Sequence, residues 1–266
     1  MLGNGADLME CDWDQGIPAA LRIGRIEGTA FGIETADRHS FFTLAPERFG
    51  ARIIDDRAVL IGPENGQRDL TVEMAEGSWT ASIASTVGPS RLSLAASLTT
   101  LSPSFFQDFV LRAVFSASSF HEAEIGGERF AHENRNLYHQ HAVREAKLSG
   151  PNGTLTVRVT GAAARSWFDQ WLYVRDAPEG WVVHARLLPR EPYARLWVRW
   201  FNRFGRISLP DAASRAVLAV PYFREKLWYA AERGGAGALQ LQASGLAGVP
   251  AEETLSLAME LDFDIP

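Results

Sequence analysis

Apolar and polar residues alternate one by one through most of this chain, in runs that turn chemistry interrupts roughly every eight to twelve residues. "TLTVRVTG" (154–161) sets Leu155, Val157 and Val159 on one side and Thr154, Thr156 and Arg158 on the other. "RLSLAASLTTLS" (91–102) and "TLSLAMELDF" (254–263) repeat the pattern with Leu92, Leu94, Ala96 and Leu98, and with Leu255, Leu257, Met259 and Leu261. Successive side chains of a strand point to opposite faces, so this period marks half-buried strands. Similar segments recur from residue 21 to residue 243. They are separated by "GPENGQ", "SGPNG", "APEG", "LPREPY" and "RGGAG", which carry the Gly, Pro, Asn and Asp that turns need. Only "LPDAASRAVLAVP" (209–221) has a helical pattern, with Asp211 to cap it and Pro221 to stop it. The expectation is an all-β chain: a large antiparallel β-sandwich with at most one or two short helices, a single domain over 1–266, and an irregular segment over 1–20.

The 266 residues carry 26 basic against 32 acidic side chains, a net charge of −6. A nucleic-acid binder normally holds a basic surplus against phosphate, so no nucleic-acid partner is expected. Cys11 stands alone, which excludes an internal disulfide and a cysteine-based zinc cluster. No window reaches the run of roughly 18 apolar residues of a membrane span, and the N-terminus lacks the pattern of a secretory signal. The default compartment is therefore the cytoplasm, with no membrane partner. Walker, GxGxxG, HExxH and GxSxG patterns are all missing, against the usual nucleotide, zinc-protease and serine-hydrolase readings. Eight Trp, fifteen Phe and five Tyr suit either a large β core or a sheet face that stacks on sugar rings.

"FGARIIDDRAVLIGPENGQ" (49–67) resembles the opening of galactose-mutarotase-like proteins, in which a Gly-Ala-Arg-Ile run on an early strand precedes a turn and a second strand. "GVPAEETLSLAMELDF" (248–263) is similar to the last strand of the same family. The resemblance implies a many-stranded supersandwich with a sugar-binding concave face. It carries over no catalytic residue, because "NLYHQH" (136–141) reverses the order of the family's His-aromatic-Asn motif.

Residues 171–202 read as three consecutive strands joined by short turns. Trp171, Tyr173 and Arg175 share one face, His184 and Arg186 share another, and Arg195, Trp197 and Arg199 a third. If the registers agree, one surface collects four arginines, a histidine and three aromatics. Arginine pairs bidentately with carboxylate or phosphate, and the aromatics offer stacking platforms, so the surface suits an anionic sugar. The alternative is a solvated face on which Arg and Trp merely stack.

"HENRNLYHQH" (132–141) offers two further chemistries. His139 and His141 point the same way on a strand and could ligate a divalent metal such as zinc. Without a metal, Asn134, Arg135 and Gln140 could neutralise a uronate carboxylate while Tyr138 or His139 moves a proton, with His184 as a further candidate. The plain reading is a polar loop followed by an exposed strand edge, with Asn134 and Asn136 as turn formers. Asp108 and Arg112 share a face of "FFQDFVLRAVF" and are expected to form a surface ion pair. Cys11 has no histidine-rich surroundings to activate it.

The expectation is thus a sandwich that binds a small-molecule or polysaccharide sugar, without a cofactor, and acts as an epimerase (an isomerase) or polysaccharide lyase. A non-catalytic carbohydrate-binding or assembly module and a β-barrel-type carrier of an apolar small molecule are the alternatives. The oligomeric state is left open.

Overall fold

The computed structural model describes residues 9–37, 39–44, 48–190, 208–221, 239–240 and 246–266. Its first strands are β1 (Glu10–Asp14), β2 (Ile17–Ile23), β3 (Ile26–Ala36), β4 (Phe41–Thr43) and β5 (Arg52–Leu60). There follow β6 (Asn65–Met74), β7 (Gly77–Val87), β8 (Arg91–Thr100), β9 (Ser104–Phe106) and β10 (Asp108–Phe115). The next are β11 (Glu122–Ile125), β12 (Glu128–Ala131), β13 (Tyr138–His141), β14 (Glu145–Gly150) and β15 (Gly153–Ala163). Then come β16 (Phe168–Ala177), β17 (Gly180–Pro189), β18 (Ser208–Leu209) and helix α1 (Asp211–Leu218). β19 (Leu239–Gln240), β20 (Ala247–Val249) and β21 (Thr254–Asp264) complete the chain.

Two antiparallel sheets face each other. One has eight strands in the order β1-β2-β3-β10-β17-β16-β13, with β4 paired to β3. The other has nine, in the order β12-β11-β14-β15-β21-β8-β7-β6-β5. The fold is the expected all-β sandwich, and the helix lies where the 209–221 pattern places it. The N-terminal expectation needs correction. Residues 10–14 and 17–23 are strands rather than irregular chain, because Ile17, Leu21 and Ile23 are buried under the second sheet.

One apolar core fills the space between the sheets. Leu70, Val72, Leu92, Leu94, Leu98, Leu155, Val157, Leu255, Met259 and Leu261 come from the nine-stranded sheet, on the alternating positions read from the sequence. Ile33, Phe109, Leu111, Phe115, Leu172, Val174, Val183 and Ala185 meet them from the other. Edge-to-face pairs such as Phe42 on Trp79, with centroids 5.0 Å apart, lock the large rings. The sheets differ on their far sides. Strands β6, β7, β8 and β21 alternate buried with exposed or half-buried residues, whereas β16 and β17 bury nearly every residue on both faces. A strand buried on both sides loses its polar alternation. Whatever polar residues such strands keep on the far face must find partners there.

Candidate functional site

Antiparallel register decides which side chains meet on the far face of the eight-stranded sheet. Gln140 stands opposite Tyr173, Tyr173 opposite His184, and His184 opposite Arg112, giving one row across β13, β16, β17 and β10. The neighbouring row runs Trp171, Arg186, Val110 and Glu34, through β16, β17, β10 and β3. β3 reaches this position through an irregularity opposite Arg112–Val114, where Ala30 and Gly32 take φ of 52° and 145°. A bulge of this kind bends a strand and re-aims its side chains, here bringing Glu34 into the row.

Between these rows lies an open depression of about 240 Å³, lined by Glu34, Asp108, Arg112, Tyr173, His184 and Arg186, with Tyr138 and Arg175 beside them. The Arg112 guanidinium donates to Glu34 Oε1 at 2.6 Å. Arg186 donates through Nη2 to Asp108 Oδ2 at 2.5 Å and through Nη1 to Gln140 Oε1 at 3.1 Å. Its guanidinium also lies over the Tyr173 ring, 5.5 Å from the centroid. Arg175 covers the Tyr138 ring at 5.3 Å and donates to the phenol oxygen at 3.4 Å and to Glu179 Oε1 at 2.9 Å. His184 Nε2 lies 3.8 Å from Glu34 Oε2, and its ring leans on Tyr173.

The side chains of Glu34, Asp108, His184 and Arg186 keep only 10–13% of their exposure, and for Glu34 and His184 that burial shifts the proton affinity. Burial pushes the Glu34 carboxyl above the usual carboxylate range, against the pull of Arg112. His184 moves the opposite way, well below an ordinary histidine, through burial first and then through Arg186, Arg112 and Arg175. Burial likewise raises the Tyr173 phenol, which stays protonated. Three guanidiniums line the depression against two carboxylates, leaving a net positive lining. Buried Nε atoms of Arg112, Arg175 and Arg186 and Nε2 of His184 have no hydrogen-bond partner among the described residues.

The residues singled out from the sequence divide into three groups. Tyr138, Gln140, Tyr173, Arg175, His184 and Arg186 come together on this face. Trp171 shares the face, but it is buried against Leu188 and Tyr138 instead of offering a platform. Asn134, Arg135, His139 and His141 lie elsewhere. Asn134 and Arg135 are exposed, and Arg135 pairs with Glu133 at 2.5 Å. Their loop wraps the buried Asp176 carboxylate, which accepts from the backbone N–H groups of Glu133, Arg135 and Leu137. Asn134 and Asn136 take the left-handed backbone that this wrapping needs, with φ of 54° and 57°.

His139 stands opposite Val174, so it projects to the core side of the sheet, away from the arginines. There it stacks on Phe130 with centroids 3.6 Å apart and places Nδ1 3.1 Å from Glu128 Oε2. His141 turns the same way, with Nε2 3.5 Å from the same carboxylate oxygen. Among the described residues no group of three or more His, Cys, Asp or Glu is arranged to hold a metal ion. Arg195, Trp197 and Arg199 lie outside the described residues.

Asp108 and Arg112 do share a face, but the expected surface pair between them is replaced by two buried pairs, Arg112 with Glu34 and Arg186 with Asp108. Glu34 was not singled out from the sequence. In "FGIETA" (31–36) it is one acid in a strand, and no local pattern tells that it meets Arg112, 78 positions away. Cys11 is inert, its thiol pushed up to about 11 by burial and by Asp12. Among the described residues no helix is long and apolar enough to cross a membrane.

No family model matches the chain, and no curated protein matches it. Solved structures do. A galactose mutarotase related enzyme from Lactobacillus acidophilus is 7% identical, over 97% of this chain and 95% of that one, with a TM-score of 0.49. A galactose mutarotase-like protein from Lactobacillus casei is 11% identical, over 93% of each chain, with a TM-score of 0.44. One from Clostridium acetobutylicum is 8% identical, over 98% and 99%, at 0.43. Galactose-mutarotase-like proteins, which residues 49–67 and 248–263 resemble, are thus also among the structures this chain is similar to, at identities that transfer no site residue.

Proposed function

We propose that the depression on the eight-stranded sheet binds a sugar carboxylate and exchanges a proton on it, with Glu34 and His184 as the acid–base pair. The observation that carries this reading is the opposite displacement of two buried groups 3.8 Å apart. Glu34 is raised and His184 is lowered, inside a ring of arginines. Titratable neighbours pushed apart by their surroundings are the signature of acid–base roles. A sugar is favoured by the polar, tyrosine-bearing lining and by the resemblance of residues 49–67 and 248–263; an acidic one is favoured by the net positive lining.

The chemistry follows from charge. In its ionised form Glu34 is a stronger base than an ordinary carboxylate, because its conjugate acid holds the proton longer. It takes the proton from the carbon next to the substrate carboxylate, and the electron pair moves into the carboxylate as an enediolate. Arg112 and Arg186 compensate the added negative charge without having to reorient. Return of a proton from water to the other face of that carbon gives the epimer, while Glu34 passes the proton it took to the neutral His184 imidazole. Expulsion of a substituent from the adjacent carbon gives the unsaturated product of a lyase. His184, neutral at neutral pH, is the second proton carrier, and Tyr173 and Gln140 hold the arginine and the imidazole in place.

The test is exchange of the carbon-bound proton next to the carboxylate, followed by proton magnetic resonance in heavy water with uronates and with neutral hexoses. Exchange with uronates alone is expected, together with a melting shift for the same ligands. Glu34→Gln should abolish exchange and keep the melting shift. Absence of both signals for every uronate, or a shift with neutral hexoses only, would sink the reading.

A further inference from the structure

Strand β5 ends the nine-stranded sheet, and among the described residues no strand pairs with its outer edge. Long free edges are normally blunted, since their unpaired N–H and C=O groups invite another strand. This one is nine residues long, with a charged centre, a bulge between Ile53 and Asp55, and large apolar side chains exposed on either side. Ile54, Val59, Leu60 and the following Ile61 are exposed to 53%, 54%, 49% and 58%. Registers against β6 show the facing. Asp55, Arg57 and Val59 pair with Thr71, Asp69 and Gln67 on the outer face, whereas Asp56 and Ala58 pair with the buried Leu70 and Arg68.

The strand is complementary to itself. When two copies of an antiparallel edge meet about a two-fold axis, residues of one face stand opposite residues of the same face. An axis at Asp55 would set Asp55 against Asp55, and an axis at Arg57 would set Arg57 against Arg57. An axis at Asp56 sets each Asp55 opposite the Arg57 of the other copy. Asp56 is the middle residue of Arg52–Leu60, so the charge-matched register is also the one that overlaps the strands end to end. The one like-charged contact this creates, Asp56 on Asp56, is already neutralised. Both Asp56 oxygens accept from the buried Arg68 of their own chain, at 2.9 and 2.7 Å. β5 carries a bulge between Ile53 and Asp55, so the two-fold pairing rests on the regular stretch around Asp55, Asp56 and Arg57. Asp55 and Arg57 already pair within the strand at 3.2 Å, and the two-fold would join two such pairs into a ring of four alternating charges.

We infer that β5 is the interface of a homodimer, in which a second copy of this chain continues the nine-stranded sheet by antiparallel β5–β5 pairing centred on Asp56. Sedimentation velocity of the full chain at low salt tests it. The parent protein is expected to be dimeric. Arg57→Asp and Asp55→Arg are each expected to yield monomer, because each surrounds the axis with like charges. The double exchange Asp55→Arg/Arg57→Asp is expected to restore the dimer. Both side chains are more than half exposed, so circular dichroism should be unchanged in all three variants. Amide exchange should slow at 55–59 as protein concentration rises. A parent that stays monomeric across the micromolar range, single variants as dimeric as the parent, or a double variant that stays monomeric would each overturn the inference.

Discussion

Glu34 and His184 make stability depend on pH in opposite windows. The folded protein keeps the proton on Glu34 above the usual carboxylate range, so it binds more protons there than the unfolded chain does. Stability from this group is present at low pH and falls as pH rises through the raised value. His184 is neutral in the fold where an ordinary histidine would be charged. The unfolded chain then binds the extra proton, and stability falls as pH drops below about 6.5. Each slope approaches about 1.4 kcal/mol per pH unit at most, the value for one proton. Denaturant titrations at several pH values should show Glu34→Gln flattening the rise-of-pH limb and His184→Gln flattening the acid limb. A parent profile indistinguishable from both variants would mean that neither group is displaced. Arg186→Ala should cost about 3–5 kcal/mol, because it strands the buried Asp108 carboxylate. Arg186→Lys keeps the charge but loses the fork, so uronate binding should weaken while the fold survives.

The elements most informative about the site are a loop and a turn. Asp176 gathers the 133–137 backbone and thereby sets where β13 begins, and β13 carries Tyr138 and Gln140 to the site. Asp176→Ala leaves buried donors without an acceptor, at a cost of about 1–3 kcal/mol for each donor left buried. Hydrogen exchange should show amides 133–137 losing protection first. The turn between β16 and β17 ends in Gly180, with φ of 128° and the Phe115 carbonyl where a side chain would begin. Gly180→Ala should destabilise by about 1–3 kcal/mol, measured by chemical unfolding. That cost arises in the turn that aligns Tyr173 with His184, and an unchanged midpoint would show that the turn can move aside.

At the scale of the whole molecule, one core joins both sheets, with Trp79 and Phe263 on one side and Phe42 and Phe115 on the other. Neither sheet can shed that surface and keep its strands dry. Tryptophan fluorescence and far-ultraviolet dichroism should therefore report a single, coincident urea transition over the whole chain. Two separated transitions would mean that the sheets unfold as independent units.

Periodicity alone determined the architecture: the alternation of 154–161, 91–102 and 254–263, the turn chemistry between strands and the helix near 211. Those signals are local, since a strand's two faces are printed in its own sequence. The face shared by Tyr173, Arg175, His184 and Arg186 was legible for the same reason. The fate of "HENRNLYHQH" was not. One residue of phase sends Tyr138 and Gln140 to the depression and His139 and His141 to the core side, where they meet Glu128. Asn134 and Arg135 serve a turn around Asp176, about 40 residues away. Glu34 became visible only when β3 paired with β10 and its bulge turned the carboxylate to Arg112. Partners so distant along the chain are chosen by strand order and register, and only the tertiary structure fixes those.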